Sequence, residues 1–177
     1  NIAGLAVFTN PGFTSYSLLE YLAEQAGGDQ TAIESIRRYN RETGTWETAS
    51  WFDNNPAGVD FLITPGDSYL IYMSRLVNDV WFEGIALGAA NDLAPGLNLV
   101  SLPVPKQGFT YDSYEMLQGI GDENEVASVK RYDSSGVWQT TSRFGDPPVP
   151  AGVNFLTSEK EGYLIYMKQA KGQWRPY

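Results

Sequence analysis

Neither cysteine nor histidine occurs in the 177 residues. Without cysteine there are no disulfides, thiolate metal sites or cysteine nucleophiles. Without histidine the chain can build no Ser-His-Asp triad, no His-Cys pair and no imidazole-ligated zinc site. Only oxygen ligands remain, which favour Ca²⁺ or Mg²⁺ over transition metals. No cofactor is expected. Basic charge is also scarce, since 12 Lys and Arg against 21 Asp and Glu leave a formal net charge of −9. The adjacent cations are the pairs Arg37-Arg38 and Lys130-Arg131. So negative a surface repels phosphate backbones, and no nucleic-acid partner is expected. No apolar run is long enough for a transmembrane helix, so direct membrane insertion is not expected either. The first residues lack the basic n-region of a signal peptide, and a start at Asn1 points to a processed or excised chain.

Apolar and aromatic residues are plentiful, at 42% and 14%, enough for a packed core. YLIYM stands at Tyr69–Met73 and again, unchanged, at Tyr163–Met167. GVDFL at Gly58–Leu62 matches GVNFL at Gly152–Leu156, an offset of 152 − 58 = 94. SIRRYN at Ser35–Asn40 matches SVKRYD at Ser128–Asp133, offset 128 − 35 = 93, and GTWETASWF at Gly44–Phe52 matches GVWQTTSRF at Gly136–Phe144, offset 136 − 44 = 92. PGFTSY at Pro11–Tyr16 is related to GFTYDSY at Gly108–Tyr114, and GLAVFT at Gly4–Thr9 lines up with GLNLVS at Gly96–Ser101. Matches in one order at nearly constant offset indicate a duplicated unit of about 90 residues.

Each unit reads the same way. Strands are expected at Gly4–Thr9 and Leu97–Leu102. Helices follow at Ser15–Ala26, with Leu18, Leu19 and Leu22 on one face, and at Ser113–Ile120, both stopped by glycine. Hairpins come next, Ile33–Asn40 with Trp46–Phe52 and Val126–Asp133 with Val137–Phe144. Asp53–Asn55 reads as a turn before Pro56. YLIYM is apolar on both faces and is expected as a central strand covered on both sides. Second hairpins are expected after it, turning at Val77–Asp79 and Ala170–Gly172 to reach Trp81 and Trp174. Gly88–Asp92 reads as the joint. The expected fold is a β-rich α+β chain of two tandem homologous units, residues 1–90 and 91–177. Each would be a mainly antiparallel, barrel-like sheet with one short helix. A single intertwined pseudo-symmetric barrel is the alternative.

In the second unit, NLVSLPV (Asn98–Val104), VKRYDSSGVW (Val129–Trp138) and EGYLIYM (Glu161–Met167) follow one another. This order resembles a tandem repeat module of secreted and surface-anchored bacterial proteins, in which such a strand precedes an RYD…G-x-W hairpin and a GY-x-I strand. Ser68 stands where that pattern has Gly, and the second unit lacks its Pro. The resemblance implies an extracellular or cell-surface, non-catalytic module, often beside adhesion or sugar-binding modules. It carries no catalytic residue to transfer.

Duplication offers an internal control, because what both copies keep is scaffold and what one copy has alone is a candidate for function. Trp46, Thr48, Ser50 and Phe52 share a strand face that Trp138, Thr140, Ser142 and Phe144 repeat, so the large aromatics there are expected in the core. Trp51 lies on the other face, where the second copy has Arg143 amid Glu47, Gln139 and Thr141. Burying unpaired charge is costly, so Trp51 is expected to be accessible or to lie against the other unit. Trp51 and Arg143, where the copies differ, and Trp81 and Trp174, for their aromatic surface, are the candidate ligand-binding residues, as platforms for sugar rings or anchors for a partner. Asp122, Glu123 and Glu125 form an acidic loop suited to Ca²⁺, but the spacing completes no calcium-loop pattern, and a solvated turn is the simpler reading. Arg38 and Arg131 recur beside Tyr39 and Tyr132 and are read as structural.

Carboxylates alone can hydrolyse glycosides, yet no pair is singled out here, so catalysis is not expected. The expected function is an extracellular tandem-repeat binding or adhesion module. Its partners would be a glycan or polysaccharide, or neighbouring modules of a larger surface protein. A structural spacer or assembly subunit is the alternative, with a carboxylate-based glycosidase behind both.

Overall fold

A computed structural model describes residues 2–4, 7–8, 12–64, 67–77, 80, 85–86, 91–102, 110–158 and 161–176. In chain order these form β1 (Ile2–Gly4), β2 (Val7–Phe8), α1 (Ser15–Gln25), a 3-10 turn at Gln30–Ala32, β3 (Ile33–Asn40), β4 (Thr45–Phe52), β5 (Asn55–Gly58), β6 (Ser68–Met73) and β7 (Ile85–Ala86). Then come β8 (Asn91–Leu93), β9 (Gly96–Ser101), α2 (Ser113–Ile120), β10 (Val126–Tyr132), β11 (Trp138–Phe144), β12 (Val149–Gly152), β13 (Gly162–Met167) and β14 (Lys171–Trp174). The chain is β-rich α+β with antiparallel sheets.

Two five-stranded sheets share one plan, β1-β6-β3-β4-β5 and β9-β13-β10-β11-β12. In each, an opening strand leads to a helix, three strands form a meander, and the last strand inserts between the opening strand and the meander. Helix α1 is capped by Thr14, whose side chain accepts from Ser17 N, and α2 by a reciprocal pair: Glu115 N donates to Asp112 at 2.8 Å and Asp112 N to Glu115 at 3.0 Å. Leu18, Leu19 and Leu22 of α1, and Met116, Leu117 and Ile120 of α2, are buried against their sheets.

The duplicated GV(D/N)F motif explains how the helices are tethered. Asp60 Oδ1 accepts from Ser15 Oγ at 3.2 Å and Tyr16 N at 3.1 Å, while Asn154 Oδ1 accepts from Ser113 Oγ at 3.1 Å and Tyr114 N at 3.2 Å. These contacts satisfy donors at the first turn of each helix. Tyr16 and Tyr114 hydroxyls donate back to the Gly58 and Gly152 carbonyls at 2.9 and 3.0 Å. Both glycines have φ near +90° (+93° and +94°), and a Cβ would sit 2.3 Å from Thr48 O and 2.4 Å from Thr140 O, so no other residue fits without a shift.

Conservation of YLIYM between the halves has an equally local cause. Tyr69 and Tyr163 are fully buried and stack on Phe61 and Phe155, with centroids 6.1 and 6.3 Å apart. Arg38 lies over the Phe61 ring at 4.7 Å and Arg131 over Phe155 at 4.6 Å, completing a guanidinium–ring–ring stack in each core. The phenol oxygens accept the Thr64 and Ser158 amides at 2.8 and 2.6 Å. The strands are interior, as expected, but not covered on both sides. Tyr69 and Ile71, and Tyr163, Ile165 and Met167, face the core, whereas Tyr72 and Tyr166 are 42% and 51% exposed.

The sheets meet around β9. Asp67 bridges to Val100, and β9 packs against β1, β3 and β6 while β13 packs against β1 and β6. Consequently both faces of β9 are buried: Asn98 and Val100 on one, Leu99 and Ser101 on the other. Arg41, in the β3–β4 loop, donates to the Asp92 carbonyl at 2.6 Å and lies 3.6 Å from the Asp67 carboxylate.

Four further expectations are corrected. The register partners Ala3↔Tyr69 and Val100↔Tyr163 make Ile2–Gly4, rather than Gly4–Thr9, the equivalent of the β9 strand. Trp174 does not close a hairpin with YLIYM, because β14 pairs with β8; residues 78, 79 and 81 lie outside the described residues. Asn91 and Asp92 open β8 instead of ending a joint, and residues 87–90 also lie outside. Of the expected turn Asp53–Asn55, Asp53 and Asn54 turn, both at positive φ (49° and 62°), whereas Asn55 opens a strand that runs to Gly58. The outer strands β5 and β12 are four residues long and carry Pro56 and Pro150.

Candidate functional site: an aromatic cleft between the sheets

Strand parity decides which side chains reach solvent. In β4, Ala49 faces the first core, so Glu47 and Trp51 share that side and Trp46, Thr48, Ser50 and Phe52 point away. Thr141 marks the same side of β11, leaving Trp138, Thr140, Ser142 and Phe144 outward. This reverses the expected assignment. Trp46 and Trp138 are 42% and 47% exposed, and Phe52 and Phe144 more so.

The reason lies in pairing. Glu47 on the core side is met by Arg38 Nε at 2.5 Å and by Asn40 Nδ2 at 2.8 Å, and these hydrogen bonds hold its carboxyl below the usual range. Its counterpart Gln139 accepts from Arg131 Nε at 2.7 Å, and Arg131 also meets Glu161 at 3.0 Å. Buried Thr141 donates to the Val153 carbonyl at 2.7 Å. A polar side chain with its partner in place carries little of the penalty that an unpaired one would.

Each exposed tryptophan is braced by its cross-strand tyrosine. Tyr39 and Trp46 meet edge-on with centroids 5.3 Å apart, Tyr132 and Trp138 at 5.2 Å. The second pair sits opposite β6 of the first sheet. Leu70, Tyr72, Met73, Tyr132 and Trp138 line a cleft of about 370 Å³ between the two. Arg37 adjoins it: paired in register with Leu70, it places its guanidinium 4.8 Å above the Tyr72 ring. The cleft therefore offers flat aromatic walls, a flexible thioether and a cation at its edge, and no carboxylate is among the described residues that line it.

The residues expected to bind ligand lie elsewhere. Trp51 is half-buried against the first core, its Nε1 enclosed without a hydrogen-bond partner among the described residues. Arg143, at the same register position opposite a proline, donates through Nη2 to the Leu117 carbonyl at 3.3 Å and to that of Gly121, closing the C-terminal end of α2. Trp174 is 3% exposed and belongs to the second core, so it presents no platform. Trp81 lies outside the described residues. None of Trp51, Arg143 and Trp174 lines the cleft.

The acidic loop closes on itself. Asp122 Oδ1 accepts the Asn124 and Glu125 amides at 2.7 and 3.2 Å, and Glu125 takes the Asp122 amide at 3.1 Å and Lys171 Nζ at 3.2 Å. Among the described residues no group of three or more acids could hold a metal ion. Asp122, Asn124 and Glu125 thus form a hydrogen-bonded turn, the simpler of the two expected readings of this loop.

Sequence reasoning missed Trp46, Trp138, Tyr72 and Tyr132 as surface residues. A signal was present in the alternation Trp-x-Thr-x-Ser-x-Phe, repeated in both copies. Hydroxyls between aromatics suit a solvated face better than a dry core. Comparison of the chain with protein-family models, with curated proteins and with solved structures finds no match.

Proposed function

We propose that residues 1–90 and 91–177 are two copies of one unit, and that the chain is a non-catalytic binding or adhesion module of an extracellular or cell-surface protein with a carbohydrate ligand. The duplicated motifs and the shared strand order support the first statement, and the resemblance to secreted bacterial repeats supports the setting. The observation that carries the ligand class is the cleft in which Trp138, Tyr132 and Tyr72 converge. Sugar rings present C–H faces that pack on aromatic rings, and their hydroxyls need polar neighbours such as Thr140 beside Trp138. With no carboxylate among the described lining residues, the cleft fits binding better than glycoside hydrolysis, which requires two. The spacer reading draws on a different feature, the buried junction at β9, which would hold the sheets at a fixed angle.

Glycan-array binding by the wild-type chain, Trp138→Ala and Trp51→Ala tests the proposal. Binding retained by Trp51→Ala and lost in folded Trp138→Ala is the expected outcome. A wild-type chain that binds no glycan, or a Trp138→Ala variant that binds normally, would leave the spacer reading in its place.

A further inference from the structure

A cation, Arg37, borders the cleft of a chain that is acidic as a whole. With an excess of nine acids, 21 − 12, nearly every arginine has an acid or carbonyl to meet. Arg38 pairs with Glu47, Arg41 with Asp67, Arg75 with Asp29 and Arg131 with Glu161. Arg143 is taken up by the carbonyls at the end of α2. Arg37 is different. It is exposed, has no carboxylate partner among the described residues, and rests on Tyr72, a wall of the cleft. Its register neighbours are Thr48 and Leu70, so no acid stands beside it across either strand.

A guanidinium held on an aromatic face keeps its N–H edge free for a planar anion while the ring restricts its motion. The neighbouring cleft supplies the aromatic surface against which a ring can stack. We propose that the ligand of this site is an anionic sugar, a uronate or sulfated residue of an acidic glycan. Its ring packs between Trp138 and Tyr72 and its anionic group pairs with Arg37. This rests on the sugar-binding reading above and narrows it. Attraction of an acidic polymer to a net-negative protein is then local, confined to a Debye length of about 8 Å at physiological salt, and the remaining surface repels it. Such a balance favours binding of one residue in register over non-specific coating.

The test is calorimetric titration of the intact chain with four oligosaccharides of equal length: a galacturonate tetramer, its methyl ester, a sulfated galactose tetramer and neutral galactose tetramer. The wild-type chain should bind one of the two anionic forms at least about tenfold more tightly than its uncharged counterpart, the scale of one charge-assisted pair. That preference should shrink as salt is raised. Whichever anionic form binds identifies the source of the charge. Arg37→Gln should abolish the preference and leave the weak binding of neutral forms, whereas Trp138→Ala should abolish binding of all. Equal affinity for charged and uncharged forms, with Trp138→Ala still abolishing both, would overturn the anionic assignment and leave sugar binding standing. Anion binding lost in Arg37→Gln but unchanged in Trp138→Ala would overturn it too, by placing the anion outside the cleft. No binding of any of the four by the wild-type chain would overturn both readings. The wild-type comparison needs no variant, so a misfolded substitution cannot obscure the result.

Discussion

Replacing Gly152 by alanine tests the most demanding backbone requirement of the duplicated motif. The added Cβ would lie 2.4 Å from the Thr140 carbonyl oxygen, 3.5 Å from its carbon and 3.7 Å from Thr141 Cα, at a φ of +94°. Two costs combine. An L side chain at such a φ costs on the order of 1–3 kcal/mol. Relieving a contact far inside van der Waals distance means shifting β12 from β11, a strain like that of an overpacked core, about 1–3 kcal/mol. The expected loss is therefore about 4 kcal/mol, with propagation to α2 because Asn154 follows two residues later. Gly27→Ala provides the control, since it shares a positive φ of +81° but has nothing within 4 Å. It should carry the backbone cost alone, about 1–3 kcal/mol. Urea unfolding monitored by tryptophan fluorescence would compare the variants at equal slope. If Gly152→Ala is no less stable than Gly27→Ala, the close approach of β12 to β11 is wrong. Gly58→Ala, at 2.3 Å from Thr48 O, should behave like Gly152→Ala.

Three other outcomes follow from the same geometry. Trp174→Ala should lose about 3–5 kcal/mol as an emptied core site and Trp138→Ala only about 1–2 kcal/mol; thermal melts showing the reverse order would refute the placement of both. Burial raises the phenol pKa of Tyr69 and Tyr163, helped by Asp67 and Glu161 respectively, so the unfolded chain ionises first as pH climbs. Stability should hold below pH of about 10 and decline above it, and spectrophotometric titration should leave Tyr69 and Tyr163 un-ionised until unfolding; full titration of a native chain would contradict this. Dialysis against a chelator should leave the melting temperature unchanged, because the Asp122 and Glu125 carboxylates already accept backbone and Lys171 protons; a marked drop would restore the calcium loop.

The local elements were legible because their signals are local. Leucine spacing and glycine stops mark α1, and a glycine stop marks the end of α2. The β3–β4 and β10–β11 hairpins follow from short turn segments between apolar runs. The orientation of β4 and β11 was not legible, because it depends on Arg38 meeting Glu47 across the sheet and on Arg143 reaching the end of α2. Glu47 alone reads as a solvent residue, and only its partner makes the buried side chemically acceptable. The pairing of β14 with β8 joins segments roughly 80 residues apart, beyond the reach of any pattern in the neighbouring sequence. The cleft was hidden for a related reason: Tyr72 and Trp138 come from different sheets, and their approach depends on how both faces of β9 are covered.

The prolines of the two outer strands bear on how such chains behave when crowded. Proline has no N–H to give β4 or β11, so Pro56 opposite Trp51 and Pro150 opposite Arg143 occupy positions whose amides would point away from the sheet. That direction is where a foreign strand would dock. In strands of only four residues, the loss of one outward donor removes much of the template for edge-to-edge fusion. Neighbouring copies packed side by side could therefore stay separate molecules, with resistance to aggregation written into the same short edge in both halves. Replacing both prolines by threonine would leave the aromatic cleft intact and make the chain prone to sheet-to-sheet self-association.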